Sequence, residues 1–372
     1  MANTLTPILP KILARVLAAT RPAMSILPLV NKDWSTELAQ KGETINVQLS
    51  EPMVASDVAP STSAAPTPTD VAQTTTPITL DKHKHIAFSL TDKEITMIDK
   101  DSSFMPGQAE EAMIGLFTQM TSDVFSLYKK VYTVAGTAGT TPFASSTDII
   151  NEVSRKLTQL RTSNRERRFI LDPFATEKAK NLASFSDMDK AGSSVKTDGL
   201  IGRKLGFDFY EDQDVPLHTA GTGSGYLING ALSAGVKSAT VDTGTGTLLE
   251  GDIVTFAGHT QSYTLTSALS ANVFAFEPAL VSAVADNAAV TLVASHRVNL
   301  AFTKPAFALA IRSLGTGEIF KGGNIISEMR DPVTGMVARA EVMRANKMTV
   351  FDFDVLYGVG APRPQYAARL LG

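Results

Sequence analysis

The chain has 372 residues and no cysteine, which excludes disulfides, thiolate zinc sites, iron–sulfur clusters and a cysteine nucleophile. Charge is sparse: 34 Lys and Arg stand against 37 Asp and Glu, a formal net charge of −3. That balance offers no global attraction for nucleic acid or an anionic membrane. No run approaches the roughly 20 apolar residues that span a bilayer, so the chain is expected to be soluble. A Walker A pattern is missing, and Gly221-Thr222-Gly223-Ser224-Gly225 does not complete a dinucleotide fingerprint. What is present is 44% hydrophobic residues, the mark of a folded protein. The length allows two or three domains at roughly 100–200 residues each.

The N-terminal stretch has no acid before Asp33, while Lys11, Arg15, Arg21 and Lys32 are basic. Ile8, Leu9, Ile12, Leu13, Val16 and Leu17 recur at helical spacing, in the manner of an amphipathic presequence. Interleaved charge argues against a secretory signal. The reading adopted is a surface helix ended before Pro22, packing on its own or a neighbouring subunit, with Ile12 and Val16 as candidate intersubunit contacts. Residues 43–49 then alternate, placing Ile45, Val47 and Leu49 on one face of a half-buried strand.

From Glu51 to Leu80 the text changes. Pro52, Pro60, Pro66, Pro68 and Pro77 lie among Ser, Thr and Ala, with no Lys or Arg. Alone, such a segment cannot bury enough apolar surface to order itself. Alternation resumes from His83 to Leu90. Two strands flanking this excursion suggest an extended arm reaching away from the body, with Pro60, Pro66, Pro68 and Val71 as candidate intersubunit contacts.

Residues 108–132 carry the strongest helical pattern, from Ala109 through Met113, Leu116, Phe117, Met120 and Val124 to Val131. Further helices are expected at about 147–162 and 174–182, around a short strand at 169–171, with another strand at 206–210. Between Thr222 and Ser295 Arg is absent, and short strands are expected at 239–241, 253–256, 263–265, 273–276 and 290–293. This reads as a small β-barrel or sandwich inserted into an α+β domain. Near the C-terminus Asn324–Arg330 and Met336–Met343 flank the turn Asp331-Pro332-Val333-Thr334-Gly335, a hairpin. Val350 to Leu356 alternates again.

Five features invite a chemical reading. His83 and His85 lie two apart on a strand, but two ligands without a third make surface histidines the simpler reading. Asp352 and Asp354 read as the solvated face of a strand. Glu211-Asp212-Gln213-Asp214 lacks calcium-loop spacing. Ser126…Lys129 and Ser193…Lys196 match S-x-x-K at chance level. Arg161, Arg165, Arg167 and Arg168 form the only dense basic cluster, expected as a solvated surface with intersubunit pairs or a contact to phosphate. No enzyme, metal site or cofactor emerges.

Several stretches resemble the coat proteins of tailed phages, most nearly those of the short-tailed Salmonella phages. They are Val30–Ala39 with Lys41–Val47, Gly206–Asp212 with Val215–Gly221, Gly251–Gly258, Ala306–Ala310, and Asp331–Gly335 with Asp354–Gly358. Two features depart from that family, a short insertion and Thr303 where a His is expected. The resemblance implies the Hong Kong ninety-seven type capsid fold, α+β, with an inserted small all-β domain. By position, 1–42 would be the N-terminal arm, 43–90 the extended loop, and 91–144 the peripheral domain with its spine helix at 108–132. Residues 145–221 and 296–320 would form the axial domain around the insertion at 222–295, and 321–372 the C-terminal sheet. Pentamers and hexamers in an icosahedral shell around double-stranded DNA are implied, together with scaffolding, portal and possible decoration proteins. Deleting about residues 54–76 is expected to leave folded subunits that form no proper shells. An encapsulin-like compartment and a monomeric binding protein displaying the β-module remain open as other classes.

Overall fold

We analysed a computed structural model of the chain, which describes residues 9–21, 25–32, 44–50, 73–94, 104–186, 201–312, 314–315 and 324–372. The amphipathic N-terminal pattern forms helix α1 (Leu9–Ala19), and its Leu13, Val16 and Leu17 are buried in the chain's main core. The alternating run after it forms β1 (Thr44–Ser50), but the partner is not the run expected. β1 pairs antiparallel with β2 (Gln73–Thr79), from Thr44 opposite Thr79 to Ser50 opposite Gln73. The Thr-rich end of the segment read as unable to order itself is thus a strand. Thr is a good strand former, and the ladder with β1 places Ile78 and Leu80 beside Ile45, Val47, Ala308 and Ala310 in a small core. β3 (Lys82–Thr91), read as the other side of the arm, joins a different sheet.

The long helical pattern forms α2 (Phe104–Phe125), continued by a 3₁₀ turn at Ser126–Lys130. Pro106 and Gly107, read as preceding the helix, lie in its first turn, where an amide has no helical acceptor in any case. The 22 residues of α2 extend about 33 Å at 1.5 Å each. Its stripe of Ala109, Ala112, Met113, Leu116, Phe117, Met120 and Val124 is buried, and α2 packs against α1, β3 and a long C-terminal strand. After β4 (Val134–Ala135) come α3 (Asp148–Gln159), β5 (Arg167–Leu171), α4 (Pro173–Asn181) and α5 (Ala183–Ser186). Asp172 caps α4: its carboxylate accepts from the amides of Phe174 at 3.2 Å and Ala175 at 3.4 Å, with Pro173 opening the helix.

β6 (Arg203–Lys204), β7 (Phe207–Glu211) and β8 (Leu217–His218) lead out to a run of short strands. These are β9 (Leu227–Ile228), β10 (Ser238–Asp242), β11 (Ile253–Phe256), β12 (Ser262–Leu265), β13 (Val273–Glu277) and β14 (Val290–Leu292). They form one sheet in the order β14-β11-β12-β13-β10-β9, all antiparallel, over a core of their own built on Phe256, Tyr263, Phe274 and Phe276. The chain then returns through β15 (His296–Phe302), β16 (Ala308–Arg312), β17 (Ile325–Arg330), β18 (Val337–Ala345), β19 (Met348–Gly360) and β20 (Ala367–Leu371).

Among the described residues the strands make four sheets. Besides the β1–β2 pair and the six-stranded sheet, a seven-stranded sheet runs β4-β20-β15-β5-β7-β6, with β8 also on β15. The fourth has the order β16-β19-β18-β17, with β3 on β19 along a ten-residue ladder from Met348–Thr91 to Tyr357–Lys82. Its inner face packs Phe88 on Phe351 and Phe353, with ring centroids 5.3 and 6.3 Å apart.

The β17–β18 hairpin forms as its turn chemistry requires. Asp331 accepts from Val333 N, Thr334 N and Thr334 Oγ1, while Gly335, at φ +72°, donates its amide to the Asp331 carbonyl at 2.8 Å. Arg21, beyond α1, adds a 2.6 Å ion pair to Asp331 and ties the N-terminal helix to this turn. Burial opposes ionisation of Asp331, but Arg21, Thr334 and the backbone amides outweigh it and hold the carboxyl well below the usual carboxylate range.

Candidate subunit-contact surface

The residues singled out for contact with other copies are scattered by the fold. Pro60, Pro66, Pro68 and Val71 lie outside the described residues. Ile12 is in α1. Val16, only 1% exposed, faces the interior of its own chain, so the apolar stripe of α1 serves an internal contact.

The four arginines do not form one solvated cluster. Arg161 and Arg165 are exposed, Arg168 is half-buried and donates to the Leu29 carbonyl, and Arg167 is buried. The strand period explains the split: Arg167 opens β5 pointing inward, and α3 covers it. Its guanidinium donates to the carbonyls of Ser154, Thr162 and Ser163 and to the hydroxyls of Ser154 and Thr158, all at 2.9–3.2 Å. Burial lowers its pKa, and the full set of acceptors keeps the charge tolerable. Arg167 therefore fixes the 161–166 loop instead of presenting itself to a partner.

Two pairs that looked inert separately meet on the outer face of the β18–β19–β3 sheet. His83 Nε2 lies 2.9 Å from Asp354 Oδ2, and His85 Nδ1 lies 3.1 Å from Asp352 Oδ1. Arg339 on β18 donates Nε and Nη2 to the two oxygens of Asp354 at 2.9 and 2.6 Å. The reading of Asp354 as solvated is corrected: it is 5% exposed, because a bidentate guanidinium and an imidazole cover it. Burial works against the charge of Arg339, and Asp354, Glu341 and Asp352 more than compensate, raising its pKa.

The most densely connected polar site was not apparent as a unit in the sequence. At the junction between the six-stranded sheet and the rest, the His218 ring sits between Tyr128 and Asp252, 2.8 Å from each. An ionised Asp252 can only accept, so Nε2 of His218 carries the proton and Nδ1 accepts from the Tyr128 hydroxyl. Asp252 also accepts from the amides of Gly221 and Leu249. Arg369 on β20 is fully buried and donates to the carbonyls of Val131, Gly251 and Lys129 at 2.8, 2.8 and 3.2 Å, with its charge 5.1 Å from the Tyr128 ring centre. Gly251 is required there: its φ is +93°, and a Cβ would come within 2.8 Å of Lys129 Cγ. His296 completes the cluster, donating Nδ1 to the Ala294 carbonyl at 2.8 Å while its buried Nε2 has no partner. Burial brings its pKa down to about 4, so it is neutral at pH 7.

Tyr–His–Asp order invites comparison with a proton relay. Both His218 nitrogens are already occupied, and none of these five side chains lines the cleft of about 430 Å³ between α3 and the six-stranded sheet. The arrangement is a polar joint. The lone Arg in Ala367-Ala368-Arg369-Leu370-Leu371 was the one signal that could have flagged it, since a cation in an apolar strand demands buried acceptors. Among the described residues no three His, Asp or Glu side chains gather to hold a metal, and no helix is long and apolar enough to cross a membrane.

No protein-family model and no curated protein matches this chain. Solved structures do. One titled as the capsid structure of cyanophage P-SCSP1u superposes with a TM-score of 0.52 at 12% identity, covering 93% of this chain and 86% of that one. Another, from Mycobacterium phage Che8, gives a TM-score of 0.51 at 11% identity over 93% of this chain and 90% of that one. The chain thus shares a mixed α+β fold with a phage capsid structure over nearly its whole length.

Proposed function

We propose that the chain is a major capsid protein: a subunit that assembles with copies of itself, through pentamers and hexamers, into an icosahedral shell around the double-stranded DNA of a tailed phage. The observation that carries this reading is the fold shared with a phage capsid structure over 93% of the chain. The ordered resemblance to short-tailed Salmonella phage coat proteins refines it to that branch of the Hong Kong ninety-seven fold. In this reading α2 is the spine helix, 43–90 the extended loop, and 222–295 an inserted all-β domain standing on the polar joint at Arg369. The role is structural. Scaffolding and portal proteins are its partners, with a decoration protein as a further candidate, and the virion, assembled in the host cytoplasm, is its location.

The physics suits such a subunit. Contacts too weak to hold one pair stabilise a closed shell when every copy repeats them. A net charge of −3 lets a shell contain DNA without gripping it. The test is sedimentation and electron microscopy of the chain expressed alone and then with its candidate scaffolding protein. Closed shells or polyheads in either case support the reading. Persistent monomers in both sink it and favour a monomeric binding protein. A deletion confined to residues 54–70, which leaves Gln73–Thr79 to pair with β1, is expected to give folded subunits without normal shells; normal shells would remove the extended loop from the assembly scheme.

A further inference from the structure

We infer that the pocket holding Arg161 and Arg165 is a receptor for an acidic side chain of a second copy of this chain. The inference rests on the capsid reading above and gives it a specific contact. The pocket, about 360 Å³, lies between the 161–166 loop and the segment joining β15 to β16, and its lining includes Arg161, Arg165, Glu166, Thr303, Lys304 and Tyr366. Among the described residues neither the Arg161 nor the Arg165 guanidinium has a hydrogen bond or ion pair, whereas the neighbouring Arg167 makes five. A second, independent feature is Thr303: 5% exposed, it lines the same pocket, and its buried hydroxyl has no hydrogen-bond partner. Two guanidiniums without partners among the described residues, lining one cavity beside this buried hydroxyl, are the parts of an oxyanion site.

The loop is built to stay in shape without its ligand. Arg161 and Glu166 adopt left-handed backbone conformations, φ +58° and +57°, and the buried Arg167 grips the carbonyls of Thr162 and Ser163 between them. That preorganisation reduces the entropy lost when a ligand docks.

Charge arithmetic selects the ligand's source. A phosphodiester backbone is gripped by a string of cations that follows it, each neutralising one phosphate. Here the cations are confined to one pocket that also contains Glu166, on a chain of net charge −3. A single carboxylate fits that count better, and copies of a net-acidic chain are the most abundant source of carboxylates in a shell.

The test uses the full-length chain. Arg161→Glu/Arg165→Glu should unfold at the same temperature as the parent, since both side chains are exposed and unpaired. Its assembly should need roughly tenfold more protein, and the salt dependence of assembly should shrink. In parallel, Arg165→Lys shells assembled from isotopically mixed subunits and treated with a zero-length carbodiimide should yield a cross-link between position 165 of one copy and an Asp or Glu of another. Wild-type shells together with a charge-reversed variant that assembles equally well, or cross-links only within one copy, overturn this inference and leave the capsid reading standing. Loss of oligonucleotide retention without any change in assembly overturns it in favour of DNA phosphate. If the wild-type chain forms no shells, the capsid reading falls and takes this contact with it.

Discussion

The six-stranded sheet and the sheet built on β19 reach order by opposite routes. Every pairing in the first lies between Leu227 and Leu292, among strands consecutive in the chain, over an aromatic core that borrows little from elsewhere. The second is closed by β3 against β19, residues more than 250 positions apart, and its inner face is completed by α1 and α2. Local chemistry suffices for one; the other needs nearly the whole chain. The joint of Tyr128, His218, Asp252, His296 and Arg369 ties the six-stranded sheet to the seven-stranded sheet and to the turn that ends α2, helped by Thr264 donating to the Val131 carbonyl and by the packing of Val134, Ile253 and Leu371.

The largest effect that sharpens this contrast comes from matched core truncations. Phe117→Ala on α2 and Phe256→Ala on β11 should each cost roughly 3–5 kcal/mol. Hydrogen exchange should then show Phe117→Ala exposing amides in β3, β18 and β19, and Phe256→Ala exposing only those of β9 to β14. Equal loss of protection in β3 and β19 from Phe256→Ala would break the comparison. Next in size, Arg369→Ala strands the carbonyls of Gly251 and Lys129, leaves that of Val131 to Thr264 alone, and should cost about 3 kcal/mol. Calorimetry should resolve two thermal transitions in place of one; a single transition merely shifted downward would mean that the sheets are coupled by other contacts.

The third effect, confined to acid pH and so the smallest at neutral pH, is on pH dependence. His296 has its pKa lowered from 6.5 to about 4, so the unfolded chain takes up that proton first as pH falls. The stability due to the neutral ring is complete above about 6.5 and is lost progressively toward about 4, up to about 3 kcal/mol by the size of the shift. His296→Leu should flatten the denaturation midpoint across that window. An unchanged slope would assign the acid sensitivity to other groups.

What could be read from residues alone follows the same division. The strands of the six-stranded sheet, the stripe of α2 and the hairpin around Asp331 were legible because turn chemistry and period act over a few residues. The pairing of β1 with Gln73–Thr79 was not, since a Thr-rich run gains its strand character from the ladder it joins. Nor was the covering of Asp354, where alternation predicts a face but not what lies across it. Arg167 and Arg369 show the same gap: a charge reads as surface until the fold supplies its acceptors.

β20 has one more consequence. It lies inside the seven-stranded sheet, between β4 and β15, although the ribosome makes it after every other strand of that sheet. Until Leu371 has been added, β4 and β15 face each other across an empty slot with open hydrogen-bonding edges. The seven-stranded sheet therefore cannot close until β20 has been made, whereas the six-stranded sheet has all its strands earlier. Before then the edges of β4 and β15 are open to pairing with a wrong neighbour.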